Sequence, residues 1–141
     1  MSLSELFDDL VRVEIVLWEA VDQRLRAEVG LPLGRVETLR AVVTTPDCRV
    51  QDVSTALRVT VGAASKLVDR LAAAGLVGRS AHPTDRRSSL VTATAAGRTA
   101  HDAATAVVEK ELHVLLGELP DGFASAVGAL RMRLAPRASG S

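Results

Sequence analysis

Cysteine, aromatic residues and long apolar runs are all scarce in this sequence of 141 residues. Its single cysteine, Cys48, cannot form a disulfide within the chain, which fits a reducing compartment. Aromatic residues make up only 2% of the chain. A core built instead from Leu, Val and Ala suits packed helices better than a β-sandwich. No apolar run reaches the ~18 residues of a membrane span, and no basic segment precedes an apolar run as in a secretory signal. We therefore expect a cytoplasmic, mostly helical protein with no membrane partner.

An excess of charge of one sign is also lacking, because the formal net charge is zero. The charges are nevertheless unevenly distributed along the chain. Residues 1–48 carry 5 basic and 9 acidic side chains, whereas residues 49–98 carry 8 basic and 3 acidic ones. Six of those eight basic side chains lie between Lys66 and Arg98. A basic middle segment in a neutral protein is the charge pattern expected of a nucleic-acid-binding region.

The spacing of apolar residues predicts six helices and one hairpin, a fold that is mostly α with a small β-wing. The predicted helices are a long first helix ended by Gly30 and Pro32, then helices around 36–43, 50–57 and 61–74, one from 95 to the break at 120–122, and one over 123–134. The predicted strands cover 76–80 and 88–94. Thr60 and Thr94 precede two of the helices and are expected to be their N-caps.

A short helix, a tight turn, a second helix and a basic hairpin together indicate a winged helix-turn-helix. The helix predicted over 61–74 has an apolar stripe (Val61, Ala64, Leu67, Val68 and Leu71) and an opposite face of small or polar residues. A helix with such a division can enter the major groove of DNA, which is ~12 Å wide. Small side chains would permit close approach, and basic ones could reach phosphates or guanine acceptors. An ordinary amphipathic surface helix is the alternative.

The tip of the predicted hairpin carries Asp85, Arg86 and Arg87. Charged side chains at a hairpin tip are usually only solvated. Two adjacent arginines beside an aspartate favour a more specific interpretation. Asp85 can hold one guanidinium and leave the other to enter the narrow minor groove, whose negative potential attracts arginine.

The stretch from Leu57 to Arg98 resembles the MarR family of bacterial transcription regulators. It contains Leu-Val-Asp-Arg-Leu (67–71), Gly-Leu-Val (75–77), Asp-Arg-Arg (85–87) and Ala-Gly-Arg (96–98) in the order and spacing of that family. The resemblance implies a homodimeric repressor, not an enzyme, that binds an inverted-repeat operator in double-stranded DNA and responds to a small-molecule effector. Two alternatives are a winged-helix protein–protein adaptor and a small-molecule binding protein that has lost DNA binding.

The same resemblance implies a division of the chain and a set of site residues. Residues 1–30 and 95–136 would form a helical dimerisation region, 33–94 the DNA-binding lobe and 137–141 a disordered tail. The implied recognition-helix residues are Thr60, Gly62, Ala63, Ser65, Lys66 and Arg70. In the wing, Arg86 would be the minor-groove residue, and Asp85 with Arg87 the pair that fixes the tip, although either arginine could insert.

The sequence departs from the family pattern at the helix-turn-helix. Arg49 stands where the family often has a Ser or Thr cap, and Arg58 where it often has Gly. A non-glycine residue in a left-handed turn costs about 1 kcal/mol, so we expect a slightly altered turn. Ala63 and Ala64 replace more usual Thr- or Val-like residues, which removes one base contact.

Three further features have both a specific and an ordinary interpretation. Cys48 could be a redox sensor if Arg49 lowered its pKa, but the family's oxidant sensors carry their cysteine in the first helix, and an inert small side chain is the alternative. Trp18 could line an effector pocket between the dimer helices and the DNA-binding lobe, or be a core or interface residue.

The histidines are the third such feature. Glu109 and His113 are four residues apart, but no second helical pair or Cys/His spacing accompanies them or the other histidines, His82 and His101. The sequence contains no nucleophile motif or phosphate-binding Gly loop. We therefore expect no metal, no cofactor and no catalysis.

Overall fold

The computed structural model describes residues 1–85 and 88–135. Arg86, Arg87 and the predicted tail at 137–141 lie outside the described residues. Within them the chain forms six helices and one two-stranded antiparallel sheet, which confirms the predicted fold class. The elements are α1 (Leu3–Glu28), α2 (Leu33–Thr44), α3 (Val50–Leu57), α4 (Val61–Ala73), β1 (Val77–Ala81), β2 (Ser89–Ala93), α5 (Ala95–Leu116) and α6 (Phe123–Leu134).

Two hydrophobic clusters hold the described residues together. The first joins α2, α3, α4 and the sheet through Leu39, Val42, Cys48, Val53, Ala64, Val68, Leu71, Val77 and Val91. The second joins α1, α2 and α5 through Val21, Leu25, Leu33, Val36 and Ala104. Leu39 and Val42 lie in one cluster and Leu33 and Val36 in the other, so α2 is common to both.

Polar contacts hold the connection between α1 and α2 in place. Gly30 has a φ of +75°, a left-handed conformation that glycine adopts without strain, and it ends α1 as predicted. The Asp22 carboxylate then accepts a hydrogen bond of 2.8 Å from the Leu33 backbone N–H at the start of α2. That hydrogen bond, followed by the neighbouring Arg26, lowers the pKa of Asp22 against the opposing effect of burial.

The junction between the wing and α5 is tightly packed. The Thr94 hydroxyl accepts the Gly97 backbone N–H at 3.0 Å, which confirms the predicted N-cap, and donates to the Gly75 carbonyl at 2.7 Å. A Cβ on Gly97 would collide with the Leu76 carbonyl oxygen. The first turn of α5 therefore lies directly against the chain that enters β1.

The predicted length of α5 is wrong at its C-terminal end. The helix ends at Leu116 and not at the Pro120 break, because Gly117 takes a φ of +55° and a ψ of −137°. The apolar spacing continues to Leu119, but a backbone in that conformation cannot continue a right-handed helix.

Large apolar side chains are exposed at the two terminal helices. No residue of α6 is buried, and its Phe123, Val127, Leu130 and Leu134 are all exposed. The first half of α1 likewise exposes Leu3, Phe7, Leu10, Val13 and Val16. Despite these side chains, no helix in the described part of the chain has the length and hydropathy to cross a membrane.

Candidate nucleic-acid interface

The turn between α3 and α4 closes around a left-handed residue. Arg58 has a φ of 55° and a ψ of 43°, the conformation that glycine would adopt with less strain. The turn is closed from both sides, because the Val59 N–H donates to the Ser54 carbonyl at 3.1 Å and the Ser54 hydroxyl donates to the Val59 carbonyl at 2.6 Å. These hydrogen bonds stabilise the turn with an arginine at its left-handed position.

The start of α3 lacks the side-chain cap that Ser or Thr would give, because Arg49 has no acceptor. Asp52 compensates in part, since its carboxylate accepts the Arg49 backbone N–H at 2.8 Å. The preceding carbonyl, that of Cys48, accepts the Val91 N–H at 2.7 Å. This bond ties the start of α3 to strand β2.

Helix α4 presents the predicted face to solvent. Its N-cap is Thr60, whose hydroxyl accepts the Ala63 N–H at 3.1 Å as predicted. Ala64, Val68 and Leu71 of the predicted stripe are fully buried, but Val61 is 53% exposed, so its assignment to the stripe is wrong. Val61 lies at the first position of the helix.

The small and basic residues predicted for recognition lie on the outer side of α4. Thr60, Gly62, Lys66 and Arg70 are exposed, and Ala63 and Ser65 are half-buried. Lys66 and Arg70 are four residues apart and so lie on the same side of the helix. Neither forms an ion pair with any of residues 1–85 or 88–135.

Arg79 belongs to the same surface and was not among the site residues predicted from the sequence. In the hairpin Arg79 pairs with Val91, so its side chain shares a face with the buried Val77 and Val91. The guanidinium reaches α4, where Nη2 lies 2.7 Å from Oδ1 of Asp69. Side chains two positions apart in a strand lie on one face, so counting from the apolar Val77 could have placed Arg79 on the inner face of the hairpin.

The base of the wing tip is held by local contacts of Asp85 and His82. The Asp85 carbonyl accepts the Ser88 N–H at 3.2 Å, and Nδ1 of His82 accepts the backbone N–H of Thr84 and of Asp85, each at 3.1 Å. The Asp85 carboxylate also lies 4.0 Å from the Arg49 guanidinium. The predicted contacts of Asp85 with the two tip arginines fall on residues outside those described.

Cys48 is a buried core residue with the opposite pKa shift to the one a sensor needs. It is 1% exposed, and burial, followed by the charge of Asp52, raises the pKa of its thiol to about 11. The suggestion that Arg49 lowers this pKa is therefore wrong, because burial of the thiol and the negative charge of Asp52 both raise it.

We expect the folded protein to resist thiol modification at pH 7, since only about one thiol in 10⁴ would be ionised with a pKa of about 11. Mass spectrometry after iodoacetamide treatment would measure this, with the urea-unfolded chain as the reactive control. Labelling of the folded protein as fast as that of the unfolded chain would contradict it.

Trp18 and the histidines were the other residues for which a specific role was considered. Trp18 is 45% exposed and so is no core residue of a single chain. It lies in a shallow depression with Glu14, Ile15 and Glu19, all on α1. Nε2 of His113 is 4.0 Å from Glu109. Across the described ranges, no three His, Cys, Asp or Glu side chains are grouped as a metal site would require.

Comparison with known proteins supports the same fold. Residues 29–88 match the model of the MarR family. CouR from Rhodococcus jostii RHA1, solved with p-coumaroyl-CoA, is 26% identical at a TM-score of 0.85, over 99% of both chains. A MarR-family transcriptional regulator from Rhodococcus sp. RHA1 is 27% identical at a TM-score of 0.78, over 95% of this chain and 93% of its own.

A third structure, Sco3205 from Streptomyces coelicolor in complex with DNA, shares the fold at a TM-score of 0.83 and 18% identity, over 94% of this chain and 88% of its own. No curated protein sequence matches the chain significantly. The match over residues 29–88 and the shared fold over nearly the whole chain make this protein similar to MarR-family transcriptional regulators.

Proposed function

We propose that this protein is a sequence-specific DNA-binding transcription regulator that acts as a homodimeric repressor in the cytoplasm. The observation that carries the proposal is the outer side of α4. It combines small residues with Lys66 and Arg70, which have no ion-pair partner among the described residues. A helix with this surface fits the major groove, and its two cations can reach phosphates or guanine.

The wing extends the same surface in the proposal. Arg86 would enter the minor groove beside the segment read by α4, and Asp85 with Arg87 would fix the tip. The lobe over residues 33–94 would then bind DNA, while residues 1–30 and 95–136 form the dimerisation region. A protein–protein adaptor would have no use for unpaired cations on the outer side of α4.

The exposed apolar residues of α1 and α6 support the homodimer. Burying such side chains contributes roughly 25 cal/mol for each Å² of apolar surface removed from water, and a second copy of the chain offers the matching surface. A two-fold axis would place the two copies of α4 in successive major grooves, ~34 Å apart. The operator is therefore proposed to be an inverted repeat.

A small-molecule effector completes the proposal. CouR, which shares the fold over its whole length, was solved with p-coumaroyl-CoA. In this chain Trp18 offers an exposed aromatic surface on α1 for such a ligand. Release of bound operator on addition of p-coumaroyl-CoA or related aromatic acids would support regulation of this kind.

We expect Lys66→Ala to weaken operator binding and to reduce its salt dependence, because each subunit would lose one phosphate contact. The operator would first be obtained by in vitro selection from random DNA. Fluorescence anisotropy across a salt series should then show the slope of log affinity against log salt falling by about 0.9 per subunit.

The matched control is Lys110→Ala, which removes the same exposed charge from α5. It should leave the affinity and the salt slope close to those of the unmodified protein. Failure of the unmodified protein to bind any DNA at low salt would reject the proposed function in favour of an adaptor or a small-molecule binding protein.

A further inference from the structure

The ion pair between Arg79 and Asp69 joins the wing to α4 on the surface proposed to face DNA. We propose that Arg79 is a positioning residue for DNA recognition, which masks the charge of Asp69 and orients the hydroxyl of Ser65. This inference rests on the proposed DNA-binding function, and it adds Arg79, which the resemblance to the family did not supply as a site residue.

The geometry of the sheet explains why Arg79 reaches α4. The side chains of Val77 and Arg79 lie on one face of β1, and that face packs on the lobe because Val77 is buried. Arg79 lies on the same face two residues further along the strand, outside the buried cluster. Its Nη2 contacts Oδ1 of Asp69 at 2.7 Å, and Oγ and the carbonyl oxygen of Ser65 at 3.4 Å each.

The negative charge of Asp69 would oppose DNA binding if Arg79 did not neutralise it. Its side chain is 66% exposed, and it follows Lys66 by three residues and precedes Arg70 on the helix proposed to enter the groove. A bare carboxylate there would be repelled by the DNA phosphates. The Arg79 guanidinium, which stays charged at all relevant pH values, neutralises it within the protein.

The contact with Ser65 has a chemical consequence for recognition. A guanidinium has only N–H donors, so in this contact the Ser65 hydroxyl oxygen is the acceptor. The hydroxyl proton then remains available for an acceptor outside the protein. Ser65 is therefore assigned as a donor to DNA, toward a phosphate oxygen or an acceptor such as guanine O6 or N7.

Exposed ion pairs contribute little to folding stability, so variants at this pair should remain folded. We expect Arg79→Ala to weaken binding to the selected operator by about ten-fold or more, because Asp69 is left unmasked. Asp69→Asn introduced into the Arg79→Ala protein should recover most of that loss. Affinity would be measured by fluorescence anisotropy and folding by thermal unfolding of the DNA-free proteins.

The salt dependence distinguishes masking from direct contact. Under masking, the double variant keeps the salt slope of the unmodified protein, since Arg79 neutralises no phosphate. If Arg79 contacted a phosphate directly, the slope of the double variant would fall by about 0.9 per subunit, whatever affinity Asp69→Asn recovered. That result would overturn the inference while leaving the proposed function intact.

Ser65→Ala and Ser65→Thr test the orientation of the hydroxyl. Ser65→Ala should weaken binding in the unmodified protein and have a smaller effect in Arg79→Ala, where the hydroxyl is no longer held. Ser65→Thr keeps the donor and should retain more affinity than Ser65→Ala. Equal losses for Ser65→Ala in the two backgrounds would contradict a positioning role for Arg79. If Arg79→Ala alone failed to fold, Arg79→Gln would be compared in the same measurements.

Discussion

Leu130→Glu is expected to convert the protein to a monomer and to weaken operator binding by about 100-fold or more. Leu130 lies in the apolar stripe of α6, a helix with no buried residue in the single chain. In the proposed dimer it would be buried, and an unpaired carboxylate is costly to bury. A monomer would bind one half-site and lose the gain of about 10²–10⁴ that simultaneous binding of two sites provides.

The matched control for this variant is Ser125→Glu, which adds the same charge to α6. Ser125 is exposed and, from the helical period, lies on the side of α6 opposite the stripe of Phe123, Val127, Leu130 and Leu134. Light scattering coupled to chromatography would give the mass of each variant, and anisotropy the affinity. A dimer of unchanged mass with Leu130→Glu would contradict an interface that includes the α6 stripe.

The second large effect is expected at the junction of the wing and α5. Gly97→Ala should reduce the free energy of unfolding by about 3 kcal/mol, which is at the severe end for an added methyl group. A Cβ at this position would collide with the carbonyl oxygen of Leu76, which is backbone and cannot rotate away. Elsewhere in a helix the same change usually stabilises, by up to about 1 kcal/mol.

Gly34→Ala provides the comparison, because a Cβ on Gly34 of α2 would meet no atom within 4 Å. It should leave the stability unchanged or slightly raised. Urea denaturation followed by circular dichroism would report both variants, with the midpoint giving stability and the slope checking two-state unfolding. An unchanged midpoint for Gly97→Ala would mean that α5 does not pack against the chain entering β1 as described.

The sequence predicted the elements of this fold better than their ends. The periodic spacing of apolar residues identifies α1 to α6, because a packed helix must bury one side. The same spacing continues to Leu119 although α5 ends at Leu116, since a backbone conformation such as that of Gly117 leaves no trace in hydrophobicity. The stripe predicted for α4 similarly included Val61, because its apolar side chain fits the helical period although the structure leaves it exposed.

Features that depend on contacts across the fold were harder to predict. Arg49 is the sequence neighbour of Cys48, but the pKa of the Cys48 thiol is set by burial and by Asp52, which the sequence alone does not show. In the sequence, Arg79 is simply a charged residue of a short strand. Only the register of the hairpin shows that it lies on the face that meets α4. Thr60 and Thr94 were predictable, because an N-cap interacts only with residues up to three positions ahead.

The shared position of α2 has a mechanical consequence. Its first turn belongs to the cluster with α1 and α5, and its later turns belong to the cluster with α3 and α4. The helix spans only about 18 Å at 1.5 Å per residue, and no linker separates its two ends. In the proposed dimer, a change of angle between α1 and α5 at one end would tilt α4 at the other and alter the distance between the two copies of α4.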